Sequence, residues 1–328
     1  MQDKKKDIIR GVMLGHAVAD AVGVPAEFKS RAELAAAPVT DMVGYGTHNQ
    51  PKGTFSDDTS MSIAALDAIK YGELDYLGVM KNFAAWYNDA AYTSSGVFFD
   101  IGGSCLRAIT SFSGSGAKTP HGHAEKGEFS CGNGGLMRIH PFSLYAYYKT
   151  EDLSERLKII HDATALTHAH PRCLLASGIF SIILWELMKS PDKSAFERGI
   201  SIARHAYSQS EGMMNKSISS ELGHFHRILI SLSTVFGALG VTEDEIRSTG
   251  YTVDTLEAAI WCVLTTNDYK SAVLRAVNLG SDTDTVAAVC GALAGALYGV
   301  EGIPADWLAS LVGRESIEKM CDAAAVNF

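Results

Sequence analysis

Apolar residues recur at i, i+3, i+4 and i+7 over 59–71, 76–88, 152–166, 173–188, 194–208, 222–238, 254–266 and 283–298. That spacing gathers them on one face of a helix. Alternating apolar and polar runs, the mark of a half-buried strand, are nearly absent. Asp, Ser and Thr stand at the starts of these segments, and Gly72, Gly240 and Gly299 lie just past three of the ends, where helices take their caps. The pattern predicts an all-α chain of a dozen or more helices. One of them differs from the rest: Val286, Ala287, Val289, Cys290, Ala292, Leu293, Ala294, Ala296 and Leu297 make 283–298 small or apolar all round. Such a helix belongs in the centre. Its amino end must then point at something buried or at the floor of a cleft.

Near the start, Ile9, Met13 and Ala17 keep helical spacing, while Asp7, His16 and Asp20 interrupt the apolar run. This reads as a helix, although Lys4 to Lys6, Arg10 and the small residues around Asp20 give it a passing likeness to a cleaved leader. No uninterrupted apolar run reaches the roughly 18 residues of a spanning helix. Residues 40–56 (Gly, Thr, Asn, Pro) and 111–135 (Gly, Ser) are irregular, and loops of that length inside a compact domain usually carry function. Without a repeat or a linker, residues 1–328 are expected to form one domain.

Composition narrows the partners. The 328 residues are 47% hydrophobic, enough for a large core, with a net charge of −9 and no basic stripe. Nucleic acid and anionic membranes are therefore not expected partners. Six cysteines, at 105, 131, 173, 262, 290 and 321, have no zinc-type spacing and read as buried thiols of a reducing, cytoplasmic compartment.

The candidate chemistry sits at two helix starts. Ser56-Asp57-Asp58-Thr59 opens one helix, and Ser281-Asp282-Thr283-Asp284-Thr285 opens the central one. A lone Asp there is ordinarily a cap, accepting a backbone N–H at the positive end of the helix dipole. Capping needs one carboxylate, and each start brings two. If the clusters meet, their repulsion calls for a divalent cation, and Asp, Ser and Thr oxygens suit Mg2+ or Mn2+ rather than zinc. Asp20-Ala21-Val22-Gly23-Val24-Pro25-Ala26-Glu27 ends the first helix in a sharp turn and supplies a further carboxylate.

These segments, together with Asp100-Ile101-Gly102, Gly132-Asn133-Gly134-Gly135-Leu136-Met137-Arg138 and Gly280-Ser281-Asp282-Thr283-Asp284-Thr285, resemble the ADP-ribosylglycohydrolase family in order and over nearly the whole chain. The resemblance implies a compact orthogonal multi-helix bundle. It also implies two Mg2+ ions, with Mn2+ as the alternative, held by Ser56, Asp57, Asp58, Asp282, Asp284 and Thr285. Glu27 falls where the family has an acidic residue described as ligand or as acid/base. Asp100, Asn133, Gly134 and His168 match residues that meet the substrate. Ala19 departs from the family's usual glycine, His16 from a small or apolar residue, and Gly135 from a frequent serine.

The function this implies is Mg2+-dependent hydrolysis of the bond between ADP-ribose and a protein side chain, arginine first. ADP-ribosyl-serine, a small O-linked ADP-ribose ester or a nucleotide linkage are the alternatives. Glu27, Asp58 and Asp284 are the candidate catalytic residues, with Glu27 as acid/base and either aspartate orienting water. For an acidic chain to hold a pyrophosphate, backbone N–H nests at 114–116 and 132–135 are the expected means. His168 and His170 form an H-x-H pair lacking a third soft ligand, and His168 is the expected hydrogen-bond donor to substrate. His121 and His123 read as solvated loop residues, and Arg138 as packing or as a phosphate contact. A two-metal phosphohydrolase and a non-catalytic ADP-ribose-binding or immunity protein are the rival classes. A monomer is expected to meet an ADP-ribosylated protein or small ADP-ribosyl substrate.

Overall fold

The structure is a computed structural model describing residues 2–208, 216–230 and 240–328. Helices α1 (Gln2–Gly23), α2 (Arg31–Ala36), α3 (Asp57–Ile69), α4 (Tyr76–Asp89) and α5 (Gly103–Gly114) make up the first third. Then follow α6 (His140–Lys149), α7 (Leu153–Thr164), α8 (Pro171–Lys189), α9 (Ser194–Ser208), α10 (Lys216–Ser219) and α11 (His226–Leu229). The chain closes with α12 (Thr252–Leu264), α13 (Tyr269–Asn278), α14 (Thr283–Tyr298), α15 (Ala305–Ser310) and α16 (Arg314–Asn327). No strand occurs among the described residues, only isolated bridges such as Tyr45 with Gln50 and Gly132 with Tyr251.

The helices anticipated from 3.6-residue spacing form within a few residues of their expected ends, with one exception. Over 222–238 the described part is a 3-10 turn (Leu222–Phe225), the short α11 and an extended Ile230, while 231–239 lie outside the described residues. The irregular reading of 111–135 began too early, since α5 continues to Gly114. Its face of Cys105, Ala108, Ile109 and Phe112 is buried, a helical signal masked by the glycines and serines around it.

The centre of the molecule is the antiparallel pair α1 and α14. A Cβ placed on Gly11 would lie 2.7 Å from the Gly295 carbonyl oxygen, and one on Gly15 would lie 2.5 Å from that of Gly291. The two backbones therefore touch, which only glycine permits. Ala19 fits because it faces Gly291, whose own added Cβ would lie 2.4 Å from the Ala19 methyl. His16 is buried between the Ala288 carbonyl oxygen (Nδ1, 3.2 Å) and the ring of His140, 4.2 Å away centre to centre. Gly135 lies so close to Thr164 and His168 that a Cβ would stand 2.9 Å from the Thr164 methyl, leaving no room for the more usual serine. By length and apolar content α1 and α8 could each cross a bilayer, but 89% of the apolar window in each is buried inside the protein.

Antiparallel contact in this register brings the carboxyl end of α1 to the amino end of α14. Gly23 seals the junction, because a Cβ there would fall 2.3 Å from the Asp284 Cα. We expect Gly291→Val to destabilise the protein by about 1–3 kcal/mol. A lower urea midpoint at an unchanged slope would show it, whereas an unaltered midpoint would mean that the backbones are not in contact.

Candidate active site

Three chain segments converge where α1 ends. Asp20 lies in its last turn and is fully buried. Its Oδ1 accepts the Ser56 backbone N–H at 3.0 Å, and its Oδ2 accepts the Thr59 N–H at 3.0 Å and the Thr59 hydroxyl at 2.6 Å. Asp20 thus caps α3 from another helix. Ser56 takes the remaining cap role, accepting the Asp58 N–H at 3.3 Å. With the cap provided, Asp57 and Asp58 are released from the duty that would ordinarily explain them.

The amino end of α14 behaves likewise. Asp282 occupies the N-cap position without capping; its Oδ2 instead accepts the Asn133 side-chain amide at 2.8 Å. The hydroxyls of Ser56 and Thr285 both donate to Asp58 Oδ2, at 3.0 and 3.2 Å. Asp58 Oδ1 and Asp284 Oδ2 are left buried without a hydrogen-bond partner. A buried anionic oxygen without a partner is costly, so these two atoms call for a cation.

Two oxygen-only trios, Asp20 with Asp58 and Asp284, and Glu27 with Asp282 and Asp284, each have their ligand atoms within 4.8 Å of one another, and a third group of Glu27, His48 and Asp100 adjoins them. Asp284 belongs to both trios. The two trios are made of hard oxygen donors, which fits Mg2+ or Mn2+; the one nitrogen in the adjoining group, His48 Nε2, is hydrogen-bonded to Glu27. Without a cation, burial and mutual repulsion push the carboxyls of Asp57, Asp58 and Asp284 well above their ordinary range. Burial raises Asp20 to about 6 against its hydrogen bonds, and burial raises Glu27 to about 7, offset in part by His48.

Above the carboxylates lies a cavity of about 340 Å3, lined by Glu27, Asp57, Asp100, Asn133, Gly134, His168, Asp282 and Thr285 among others. Every residue anticipated to meet substrate is on its wall. His168 is buried and its ring is held at near-neutral charge, its pKa pushed down to about 3 by desolvation and by Arg138. Arg138 donates to the Thr167 hydroxyl oxygen at 2.7 Å, and Thr167 Oγ1 stands 2.9 Å from His168 Nδ1. The Thr167 hydroxyl, with one proton and two lone pairs, accepts from Arg138 and joins it to the His168 ring in one hydrogen-bonded row. Arg138 packs over Phe83 and is fully buried, so it is a packing residue rather than a phosphate contact. His170 caps α8, accepting the Arg172 N–H at 3.2 Å. A larger recess of about 650 Å3 between the start of α1 and the end of α16 is lined mainly by lysine, tyrosine and apolar side chains and has no carboxylate on its wall.

The nest expected at 114–116 does not exist. The N–H groups of Ser115 and Gly116 bond back to Ser111 and Ser113 at the carboxyl end of α5, so none is free to meet an anion. The opposite end of the same helix takes that place: Gly102, Gly103, Ser104 and Cys105 line the cavity, presenting the free N–H groups of a helix start. The turn at 132–135 does lie on the wall, with the Asn133 N–H bonded to the Gly250 carbonyl at 3.0 Å.

A sequence model of the ADP-ribosylglycohydrolase family matches residues 1–328. The chain belongs to that family. Family membership makes it an ADP-ribosyl hydrolase. It is 31% identical to the ADP-ribosylarginine hydrolase Tri1 of Serratia proteamaculans, over 98% of this chain and 80% of that protein. It is 29% identical to the ADP-ribosyl-[dinitrogen reductase] glycohydrolase of Rhodospirillum rubrum, over 95% and 94% of the two chains. A solved structure described as an ADP-ribosylglycohydrolase-related protein complex superposes with a TM-score of 0.75 at 27% identity, covering 99% of each chain.

Two side chains at this glycohydrolase site carried no assigned role in the sequence. Asp20 was visible as a charge inside an apolar helix. His48, whose Nε2 is hydrogen-bonded to Glu27 Oε2, lies in the irregular 40–56 stretch and offered no periodic signal.

The raised carboxyls set a sign for pH. Folding of the cation-free protein favours their protonated forms, so that stabilisation is complete below the unfolded values near 4 and is lost as pH rises towards the folded values of about 6 for Asp20 and 7 for Glu27. A divalent ion competes with those protons. At about 100 times its Kd it adds about 2.7 kcal/mol. The Tm difference between Mg2+ and EDTA should therefore be small at pH 5 and several degrees at pH 8. An equal difference at both would contradict the site.

Proposed function

We propose that this chain is a Mg2+-dependent hydrolase that releases ADP-ribose from arginine side chains of modified proteins. The observation that carries the reading is the pair of oxygen trios sharing Asp284 beneath a cavity walled by Asn133, Gly134 and His168. Divalent ions bound there would polarise ribose hydroxyls and a water. The rest of the chemistry falls to the chain. Asp58 and Asp284, each with an otherwise unpartnered oxygen, hold the ions and orient the water. Glu27, whose carboxyl burial raises above its ordinary range in the cation-free protein, is the group placed to deliver a proton to the departing nitrogen. The amino end of α5 offers N–H donors to an anionic substrate, which an acidic protein otherwise lacks, and the neutral His168 ring stands beside it on the cavity wall.

Arginine is favoured on charge. Asp57 and Asp100, outside the two oxygen trios, face the cavity and attract a guanidinium, whereas a serine hydroxyl gains nothing from them. The relatives named as ADP-ribosylarginine hydrolases, at 31% and 30% identity, point the same way. We place the activity in the cytoplasm, in keeping with six cysteines that are all free and buried.

The test is a panel of ADP-ribosyl-arginine and ADP-ribosyl-serine peptides and free ADP-ribose, with Mg2+, Mn2+ or EDTA, read by chromatography of the products. Intact ADP-ribose from the arginine peptide, abolished by EDTA, is expected. Release from serine alone would overturn the linkage, and AMP would indicate a phosphohydrolase. Asp58→Asn should lower kcat at least about 100-fold and weaken Mg2+ binding; unchanged turnover would remove Asp58 from the site.

A further inference from the structure

The loop from Tyr45 to Gln50 is clamped onto the segment that carries Glu27. Its ends pair through the Tyr45 N–H and the Gln50 carbonyl at 2.5 Å. Gly46, at φ +65°, lies so close to Pro25 that a Cβ would stand 2.1 Å from its carbonyl oxygen. The Thr47 hydroxyl donates to the Glu27 backbone carbonyl at 2.7 Å, and the Gln50 amide donates to the His48 carbonyl at 3.2 Å. Tyr45 and Asn49 hold left-handed backbone, φ +68° and +52°, which non-glycine residues adopt at a cost. What this strained turn presents to the Glu27 carboxyl is one ring, His48.

That ring is fixed on both sides. Phe99 lies 5.3 Å from it and Phe28 lies 6.0 Å from it, centre to centre. Its Nε2 bonds Glu27 Oε2, leaving Oε1 without a protein partner among the described residues. Glu27 follows a 3-10 turn and has no other side-chain bond to hold its rotamer.

We infer that His48 is the positioning residue for Glu27: it fixes the carboxyl so that the remaining oxygen faces the departing group. The inference rests on the reading of Glu27 as the acid/base. A carboxyl on a flexible side chain samples several rotamers, and displacement by about 1 Å at a reacting centre can cost about 100-fold in rate. His48 does not itself touch the substrate; it removes that freedom.

The experiment compares His48→Ala, His48→Gln and His48→Asn with Glu27→Gln and the Glu27→Gln/His48→Ala double variant, on whichever ADP-ribosyl substrate the wild type turns over. His48→Ala is expected to lower kcat about 10- to 100-fold with KM within about twofold, and to leave the Mg2+-induced Tm shift intact. His48→Gln, whose amide reaches the place of Nε2, should recover to within about fivefold of wild type, and the shorter His48→Asn should not. In the double variant the loss should be no greater than in Glu27→Gln alone. Equal losses in His48→Ala and His48→Gln, a multiplicative loss in the double variant, or a KM that rises as kcat falls would overturn the inference. Full activity in Glu27→Gln would instead remove the acid/base reading beneath it.

Discussion

The backbone contact between α1 and α14 is the constraint on which the site depends. Gly11 and Gly15 lie against Gly295 and Gly291, and Gly23 lies against Asp284, in an antiparallel register that leaves no space for a single Cβ at these points. Such closeness fixes the axial position of one helix on the other. It therefore fixes where Asp20 and Glu27, from the end of α1, stand relative to Asp282 and Asp284, from the start of α14. A looser pair of helices with larger side chains between them could slide, and the carboxylates would part.

The same contact changes what the acids at helix starts do. Asp20, delivered by α1, accepts the first N–H groups of α3, so Asp57 and Asp58 are not needed as caps. Asp282 stands at a cap position but gives its oxygen to Asn133. The outcome is a set of carboxylates whose local structural duties have been taken by neighbours, crowded in a buried pocket where their charges oppose one another. Such a set is unfavourable by itself and favourable around cations, which is how a fold stores affinity for a metal in the arrangement of its own side chains.

An acidic site must also tolerate an anionic substrate. Backbone can do this without adding a basic residue: the amino end of α5 and the Gly132–Gly134 turn lie on the cavity wall beside the His168 ring, which Thr167 links to Arg138. Arg138 packs over Phe83 behind that wall.

Much of this was legible in the sequence. Spacing of apolar residues marked seven of the long helices closely, because burial of one face leaves a 3.6-residue imprint wherever a helix lies against a core. The all-apolar composition of α14 foretold its central place, and the surplus of acid at two helix starts foretold a shared cluster of carboxylates there. Elsewhere the imprint fades. Local composition hid α5 behind glycine and serine, and suggested a nest at 114–116 where the N–H groups in fact close the end of that helix. Asp20 as the cap of α3 and His48 against Glu27 were out of reach, since each joins residues whose nearness comes from packing and leaves no pattern along the chain. The sequence by itself determined the helices, the acidic character of the site and the family. Tertiary structure alone decided which carboxylates are caps and which are free, because that depends on contacts between segments well separated along the chain, Asp20 with Ser56 across 36 residues and Asn133 with Asp282 across 149.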